Sequence, residues 1–300
     1  RTIPEQMDDF FEYPLCFSRN QSSTITCIKE DNEGLLWIGT WGKGIINIDK
    51  NFNLKNHFYS DGKSLNGLRT NRIMDLEFDD SGRLWVATFG GGLTRITKSK
   101  SSSKETFAFE NLSQGTDVFS LSDSKLLALY KDSEKNIWIG SYYSGIILIS
   151  EEESKKTFGK AKLNYQRCPI SSDKLSQNTV ISLTEDKNKN LWIGTFGGGL
   201  IRYNYRKNES QHFFSDPLNK NSLGDNDVLS LCTDRSGIIW AGSHLGAGVT
   251  KIQINNAKFN QVKHNPSKPN SLNDNVVWAI YKDKQNILWI GTYKGGINKY

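Results

Sequence analysis

One pentapeptide, returning six times, constrains this chain more than any other feature. Leu36-Trp37-Ile38-Gly39-Thr40 comes back as Leu84-Trp85-Val86-Ala87-Thr88 and as Ile137-Trp138-Ile139-Gly140-Ser141. Leu191-Trp192-Ile193-Gly194-Thr195, Ile239-Trp240-Ala241-Gly242-Ser243 and Leu288-Trp289-Ile290-Gly291-Thr292 complete the series. Successive tryptophans stand 48, 53, 54, 48 and 49 residues apart. Other positions keep the same period. Six before each Trp is an Asp: Asp31, Asp79, Asp132, Asp186, Asp234 and Asp283. Fourteen before is Asn71, Asn178, Asn226 or Asn275, with Ser23 and Ser124 in the other copies. A Gly and an aliphatic follow each pentapeptide, as in Gly44-Ile45 and Gly199-Leu200. The fifth copy carries one extra residue before Gly248-Val249. A unit of this length repeated in tandem points to a solenoid or a propeller.

Each unit reads as four short strands. Strand A is the apolar run before the Asp, such as Val180-Ile181-Ser182-Leu183-Thr184. A tight hairpin follows, as in Asp79-Asp80-Ser81-Gly82. Strand B is the pentapeptide, apolar on both faces and therefore buried on both. A Gly-rich turn leads to strand C, and an aromatic strand D closes the unit: His57-Phe58-Tyr59, Phe107-Ala108-Phe109, Leu163-Asn164-Tyr165 and His212-Phe213-Phe214. Four antiparallel strands per unit predict an all-β propeller of four-stranded blades. Solenoid units are usually shorter or helical. The expected organisation is one domain over 1–300, its units centred on Trp37, Trp85, Trp138, Trp192, Trp240 and Trp289. The propeller is six-bladed, or part of a seven-bladed one. Phe10-Phe11-Glu12-Tyr13 resembles a lone strand D and is expected to close the last blade, removing exposed sheet edges.

Composition narrows the function classes. The 300 residues are 36% hydrophobic and 23% charged, which is not a disordered composition. Apolar runs fall well short of the ~18 residues of a membrane helix, so no membrane segment is expected. Net charge is only +6, and Lys98, Lys100, Lys104, Lys155, Lys156 and Lys160 are scattered. That pattern argues for a solvated surface and against a nucleic-acid interface. Cys16, Cys27, Cys168 and Cys232 lack paired or metal-ligand spacing, so neither a disulfide framework nor a zinc site is expected. Arg1-Thr2-Ile3-Pro4 reads as a cut or processed start.

Thr184-Glu185-Asp186, followed by Leu191-Trp192-Ile193-Gly194-Thr195-Phe196-Gly197-Gly198-Gly199-Leu200, resembles the two-component regulator propeller repeat nearly residue for residue. The resemblance spans about residues 10 to 300. It implies the extracytoplasmic sensor domain of a hybrid two-component histidine kinase receptor, in a bacterial periplasm or at the cell surface. Sensors of that family usually hold two seven-bladed propellers, followed by an immunoglobulin-like domain, a membrane helix and a kinase. The implied partners are an oligosaccharide or other small ligand, a downstream kinase module of the same polypeptide and, for signalling, a homodimer. This chain shows six copies and none of the downstream modules. It is expected to be either a piece of a larger receptor or a stand-alone six-bladed relative.

Several motifs are explained by structure alone. The Asp six before Trp is a turn residue accepting hydrogen bonds from hairpin amides. Asp186-Lys187-Asn188-Lys189-Asn190 begins like a calcium loop, but Leu191 and Gly197 stand where Gly and Glu are required. Gly90-Gly91-Gly92 and Gly197-Gly198-Gly199 lack the following helix a phosphate cradle needs. No Ser-His-Asp or metal-binding His spacing appears among His57, His212, His244 and His264, so no catalytic residue, metal or cofactor is assigned.

One feature points to ligand binding. Trp41, Phe89, Tyr142, Phe196, His244 and Tyr293 all stand four after the Trp, at the start of the B–C loop. In propellers the B–C and D–A loops share one face. Flat rings there suit the apolar faces of sugars. The same rings could instead simply pack between neighbouring blades. Tyr143 and Lys294 vary the next slot, and Arg69, Arg72, Asp225, Asp227 and Asp274 add polar groups from the D–A loops. The candidate ligand-binding set is Trp41, Phe89, Tyr142, Tyr143, Phe196, His244, Tyr293, Arg69 and Arg72. A protein-interaction scaffold in the cell envelope and a propeller lyase or hydrolase, lost on His244→Ala, are the rival functions. Streptogramin lyases share the fold class, without a specific match.

Overall fold

A computed structural model describes residues 24–158 and 179–300, apart from 64–65, 102–103, 113–120, 122, 220, 245 and 254–257. The expected closing strand at 10–13 and the aromatic strand at 163–165 lie outside the described residues. The protein is an all-β propeller of six blades. The described residues group into two compact units, 24–158 and 179–300, with three blades each.

In the first unit, blade 1 is β1 (Thr24–Glu30), β2 (Leu36–Trp41), β3 (Gly44–Ile48) and β4 (Leu54–Phe58). Blade 2 is β5 (Ile73–Phe78), β6 (Leu84–Thr88), β7 (Gly92–Ser101) and β8 (Lys104–Leu112). Blade 3 is β9 (Leu126–Lys131), β10 (Ile137–Ser141) and β11 (Ile146–Ile149), followed by the single-turn helix α1 (Glu151–Ser154). In the second unit, blade 4 is β12 (Val180–Glu185), β13 (Leu191–Thr195), β14 (Leu200–Asn204) and β15 (Glu209–Phe213). Blade 5 is β16 (Val228–Thr233), β17 (Ile239–Ser243), β18 (Val249–Gln253) and β19 (Lys258–Val262). Blade 6 is β20 (Val277–Lys282), β21 (Leu288–Thr292) and β22 (Gly296–Lys299). Every pairing is an antiparallel meander, and blades 3 and 6 are three-stranded among the described residues.

The strand-B pentapeptide is buried along its whole length in blades 2 to 5, as expected of a run apolar on both faces. Its side chains fill cores that straddle consecutive blades. Trp37 and Ile45 pack with Leu76, Leu84 and Val86 of blade 2. Trp85 and Leu93 pack with Leu129 and Ile139 of blade 3. In the second unit Trp192 and Leu200 meet Val228 and Ile239, and Trp240 and Val249 meet Val277 and Leu288. Each fully buried Leu or Val adds about 1.5–3 kcal/mol. Arg95 clamps blade 2 to the segment after β11. Its buried guanidinium lies over the rings of Trp85 (5.4 Å) and Phe158 (4.5 Å), pairs with Glu110 and donates to the Ser154 and Lys156 carbonyls.

Every blade has a bulge at the same place in strand A, between residues twelve and ten before the Trp. The residue beyond the bulge is small in most copies: Cys27, Ala128, Ser182, Ser230 and Ala279. Two strand-A hydroxyls donate to the next blade at this level: Thr26 Oγ1 to the Ile73 carbonyl (2.8 Å) and Ser182 Oγ to the Val228 carbonyl (3.2 Å). In blade 2 the position is Asp75, whose carboxylate accepts from Leu129 N of blade 3 (2.8 Å) and from Leu76 N.

Burial pushes Asp75 up to about 6, against the opposing pull of Lys29, while Glu77 adds to the rise. A carboxyl that titrates higher in the folded chain binds its proton more tightly there. Its contribution is favourable at low pH and is lost as pH rises from about 4 to about 6. Asp75→Ser, the residue of two other copies, removes that loss. Relative to the parent protein, the variant should gain up to about 3 kcal/mol between pH 4 and pH 7. Urea unfolding at the two pH values measures this, and a pH-independent difference would contradict it.

Candidate functional site

The repeat positions organise each blade before any ligand is considered. Asp186 accepts Asn188 N and Asn190 N at the hairpin, and its other oxygen accepts Trp192 Nε1 at 2.9 Å. The Asp–indole bond recurs in every blade, at 2.8–3.0 Å: Asp31–Trp37, Asp79–Trp85, Asp132–Trp138, Asp234–Trp240 and Asp283–Trp289. The turn role expected of these aspartates is therefore what the hairpins show, with an indole partner added. Thr40, Thr88, Ser141, Thr195 and Thr292 donate to the carbonyl of the glycine four residues on, closing the B–C turn. That glycine has φ near +70°, a conformation costly for other residues.

The D–A segment of the next blade docks beside this turn. Gly42 N and Gly44 N both donate to the Asn71 carbonyl, and Gly90 N and Gly92 N to that of Ser124. Gly199 N donates to the Asn226 carbonyl and Gly248 N to that of Asn275. The Asn side chains meanwhile accept from Ser60 N, Ser215 N and His264 N at the ends of strand D. B–C and D–A segments thus meet on one face within each unit, as the sequence argument required.

On that face the first unit carries a continuous run of rings. Trp41 lies 5.3 Å from Phe89, Phe89 5.9 Å from Tyr142, and Tyr142 4.5 Å from Tyr143. Trp41 is 41% and Tyr143 66% exposed. Arg72 lies over Trp41 at 5.5 Å. Arg69 is exposed, and its Cβ stands close beside Gly91 of the neighbouring turn. Asp123, buried and on the same segment as Lys125, accepts Lys125 N and Tyr143 N and so fixes both backbones. Lys125 places its ammonium 5.3, 5.5 and 5.0 Å from Phe89, Tyr142 and Tyr143.

In the second unit Phe196 lies 5.8 Å from His244. Tyr293 meets that pair only through Trp278, which is 6.3 Å from each of His244 and Tyr293. His244 Nδ1 lies 3.4 Å from Oδ2 of the buried Asp227. Asp225 accepts Asp227 N, and Asp274 accepts Val276 N and Lys294 N. The backbone bond from Val276 heads the causes that hold the Asp274 carboxyl below its ordinary value. Lys294 reaches over Tyr293 at 5.7 Å.

The rings both touch across neighbouring blades and remain open to solvent, so they form surface platforms. Grooves lined by Trp37, Phe78 and Phe107, by His57, Tyr59 and Leu68, and by Leu272, Ile297 and Tyr300 lie away from them. The other histidines face partners of their own: His57 Nε2 the Lys43 carbonyl (2.8 Å), His212 Nε2 Ser210 Oγ (3.3 Å), His264 Nδ1 the Leu272 carbonyl (2.6 Å). Among the described residues no group of three or more His, Cys, Asp or Glu side chains is placed to hold a metal. Cys27 and Cys232 are half-buried thiols, and burial raises Cys232 to about 11.

Lys125 and Trp278 were missed from sequence, and both had a signal. Lys125 occupies the same repeat position as Arg72, thirteen before the Trp. Trp278 breaks the series Thr26, Met74, Leu127, Ile181 and Leu229 at eleven before.

Six segments match the two component regulator propeller family: 21–42, 67–90, 120–143, 174–197, 222–244 and 271–294. The chain is similar to the extracellular domain of a hybrid two component system of B. thetaiotaomicron, at 19% identity and a TM-score of 0.64, covering 93% of this chain and 40% of that one. A second B. thetaiotaomicron extracellular domain, of a one component system, matches at 20% identity and a TM-score of 0.56, over 94% and 39%. Virginiamycin B lyase of Staphylococcus aureus matches at 16% identity and a TM-score of 0.63, over 94% and 85%. The chain thus spans about two fifths of the B. thetaiotaomicron domains. At these identities the likeness carries the fold. No curated protein sequence matches the chain.

Proposed function

The chain belongs to the two component regulator propeller family, and from that premise we propose that it is the extracytoplasmic ligand-sensing propeller of a two-component receptor, taking an oligosaccharide on its aromatic face. The observation that carries this reading is the contiguous run Trp41–Phe89–Tyr142–Tyr143, exposed at Trp41 and Tyr143 and half-buried between them. Tilted and edge-on rings offer large rigid contact area at low entropic cost, which suits the apolar face of a pyranose. Signalling follows by population shift. The ligand favours one arrangement of blades or of a homodimer, and a kinase module of the parent polypeptide reads the change. Only a ligand with unequal affinity for the two states can signal.

Tyr143 is the best test, because its backbone contact to Asp123 survives truncation. Tyr143→Ala should weaken oligosaccharide binding by about tenfold or more, the loss of ~1.5 kcal/mol of ring contact, without moving the melting temperature. Calorimetric titration against a panel of oligosaccharides reads both quantities. A parent protein that melts cooperatively and binds none of them would favour the scaffold. One arrangement favours an enzyme instead: His244 beside the buried Asp227 has the geometry of an oriented base. That reading requires turnover of some substrate, abolished in His244→Ala.

A further inference from the structure

The aromatic face of the first unit carries two cations that no carboxylate neutralises among the described residues. Lys125 and Arg72 occupy one repeat position, where the other copies have Thr24, Thr179, Asp227 and Val276. Both cations sit against the rings of the run, Lys125 against three and Arg72 against Trp41. Among the described residues neither meets a carboxylate or a hydrogen-bond acceptor. Asp123, two residues before Lys125, places its two oxygens on backbone amides of Lys125 and Tyr143. A cation over a π face keeps most of its N–H donors, three on an ammonium and five on a guanidinium. The matching position of the second unit reverses the sign: Asp227 stands there, with Asp274 nearby in sequence to Val276. At this repeat position a cation stands in blades 2 and 3 alone.

We infer that this run selects glycans bearing an acidic group, a uronate or a sulfated sugar. The exposed rings take the apolar sugar face, and Lys125 and Arg72 take the anion through charge-assisted hydrogen bonds. This rests on the reading that the run binds a saccharide at all.

Calorimetric titration of the whole chain separates the two claims. The probes are tetragalacturonate with its carboxyl-reduced counterpart, and a chondroitin sulfate tetrasaccharide with its desulfated, carboxyl-reduced counterpart. At least one acidic probe should bind about tenfold or more tighter than its neutral counterpart, with a preference that shrinks as salt rises. Which acidic probe wins distinguishes carboxylate from sulfate. Lys125→Gln with Arg72→Gln should abolish the preference for acidic over neutral probes, and Lys125→Arg should retain it. Equal binding of acidic and neutral probes, or a preference that survives the double variant, overturns the inference and leaves the sensor reading standing. Failure of all four probes to bind a folded chain overturns both.

Discussion

Asp186→Ala should lower stability by about 3–5 kcal/mol, the largest loss expected of any single truncation outside the cores. The carboxylate is buried and accepts two hairpin amides, the Asn190 side-chain amide and the Trp192 indole, with the Arg202 guanidinium 3.4 Å away. Removal leaves the indole N–H of a fully buried Trp with no acceptor. It also frees a hairpin whose first strand lies against blade 5. Asp283→Ala in blade 6 removes two hairpin amide bonds and the indole bond, with Ile287 supplying no side-chain amide, around a half-buried Trp289, and should cost visibly less. Urea midpoints of the two variants decide the matter. Equal losses would mean that neither indole burial nor the Asn190 and Arg202 contacts are the source of the effect, and a loss below ~1 kcal/mol for Asp186→Ala would remove the carboxylate from its organising role.

Gly248→Ala is expected to cost at least about 3 kcal/mol. Gly248 has φ +71°, and a Cβ there would lie 2.2 Å from the Val262 carbonyl oxygen at the end of strand D. Backbone strain and a clash with rigid main chain add together. Gly82→Ala isolates the first component, since Gly82 has φ +74° with open space around it. It should cost only about 1 kcal/mol. Thermal unfolding of both variants tests the separation. Similar losses would show that β18 and β19 part readily to admit a methyl group.

The architecture was legible because the repeat samples one solution six times. Any position kept in all copies had to serve the blade, and the structure shows how. Asp six before Trp holds the hairpin and Thr or Ser three after closes the B–C turn, while the Asn fourteen before, present in four copies, pins strand D. The indole partner of Asp was not legible, since spacing alone does not reveal that a side chain six residues on folds back over the turn. The site was less legible for the opposite reason. Ligand contacts are expected where copies differ, and a period-based reading averages such differences away. Arg72 was marked and Lys125 was not, although they share a repeat position. Trp278 lies in a strand A otherwise read as apolar core, and the bulge at Val277/Ala279 accompanies its exposure.

The side-chain bonds that define a blade close over very short stretches of chain. The Asp–Trp bond spans six residues and the Thr–Gly bond four. Among the described residues the strands of one blade pair only with their sequence neighbours. Such local closure costs little loop entropy, so each hairpin can form as soon as its residues emerge during synthesis, without waiting for distant chain. What remains for later is the packing of one finished blade on the next, with the strand-A and B–C turn bonds that join them. Assembly then runs as a nearest-neighbour process, and polar wiring that reaches no further than the adjacent blade places no condition on how many others follow. Copy number is left free to drift by duplication or loss while each blade keeps the same internal chemistry.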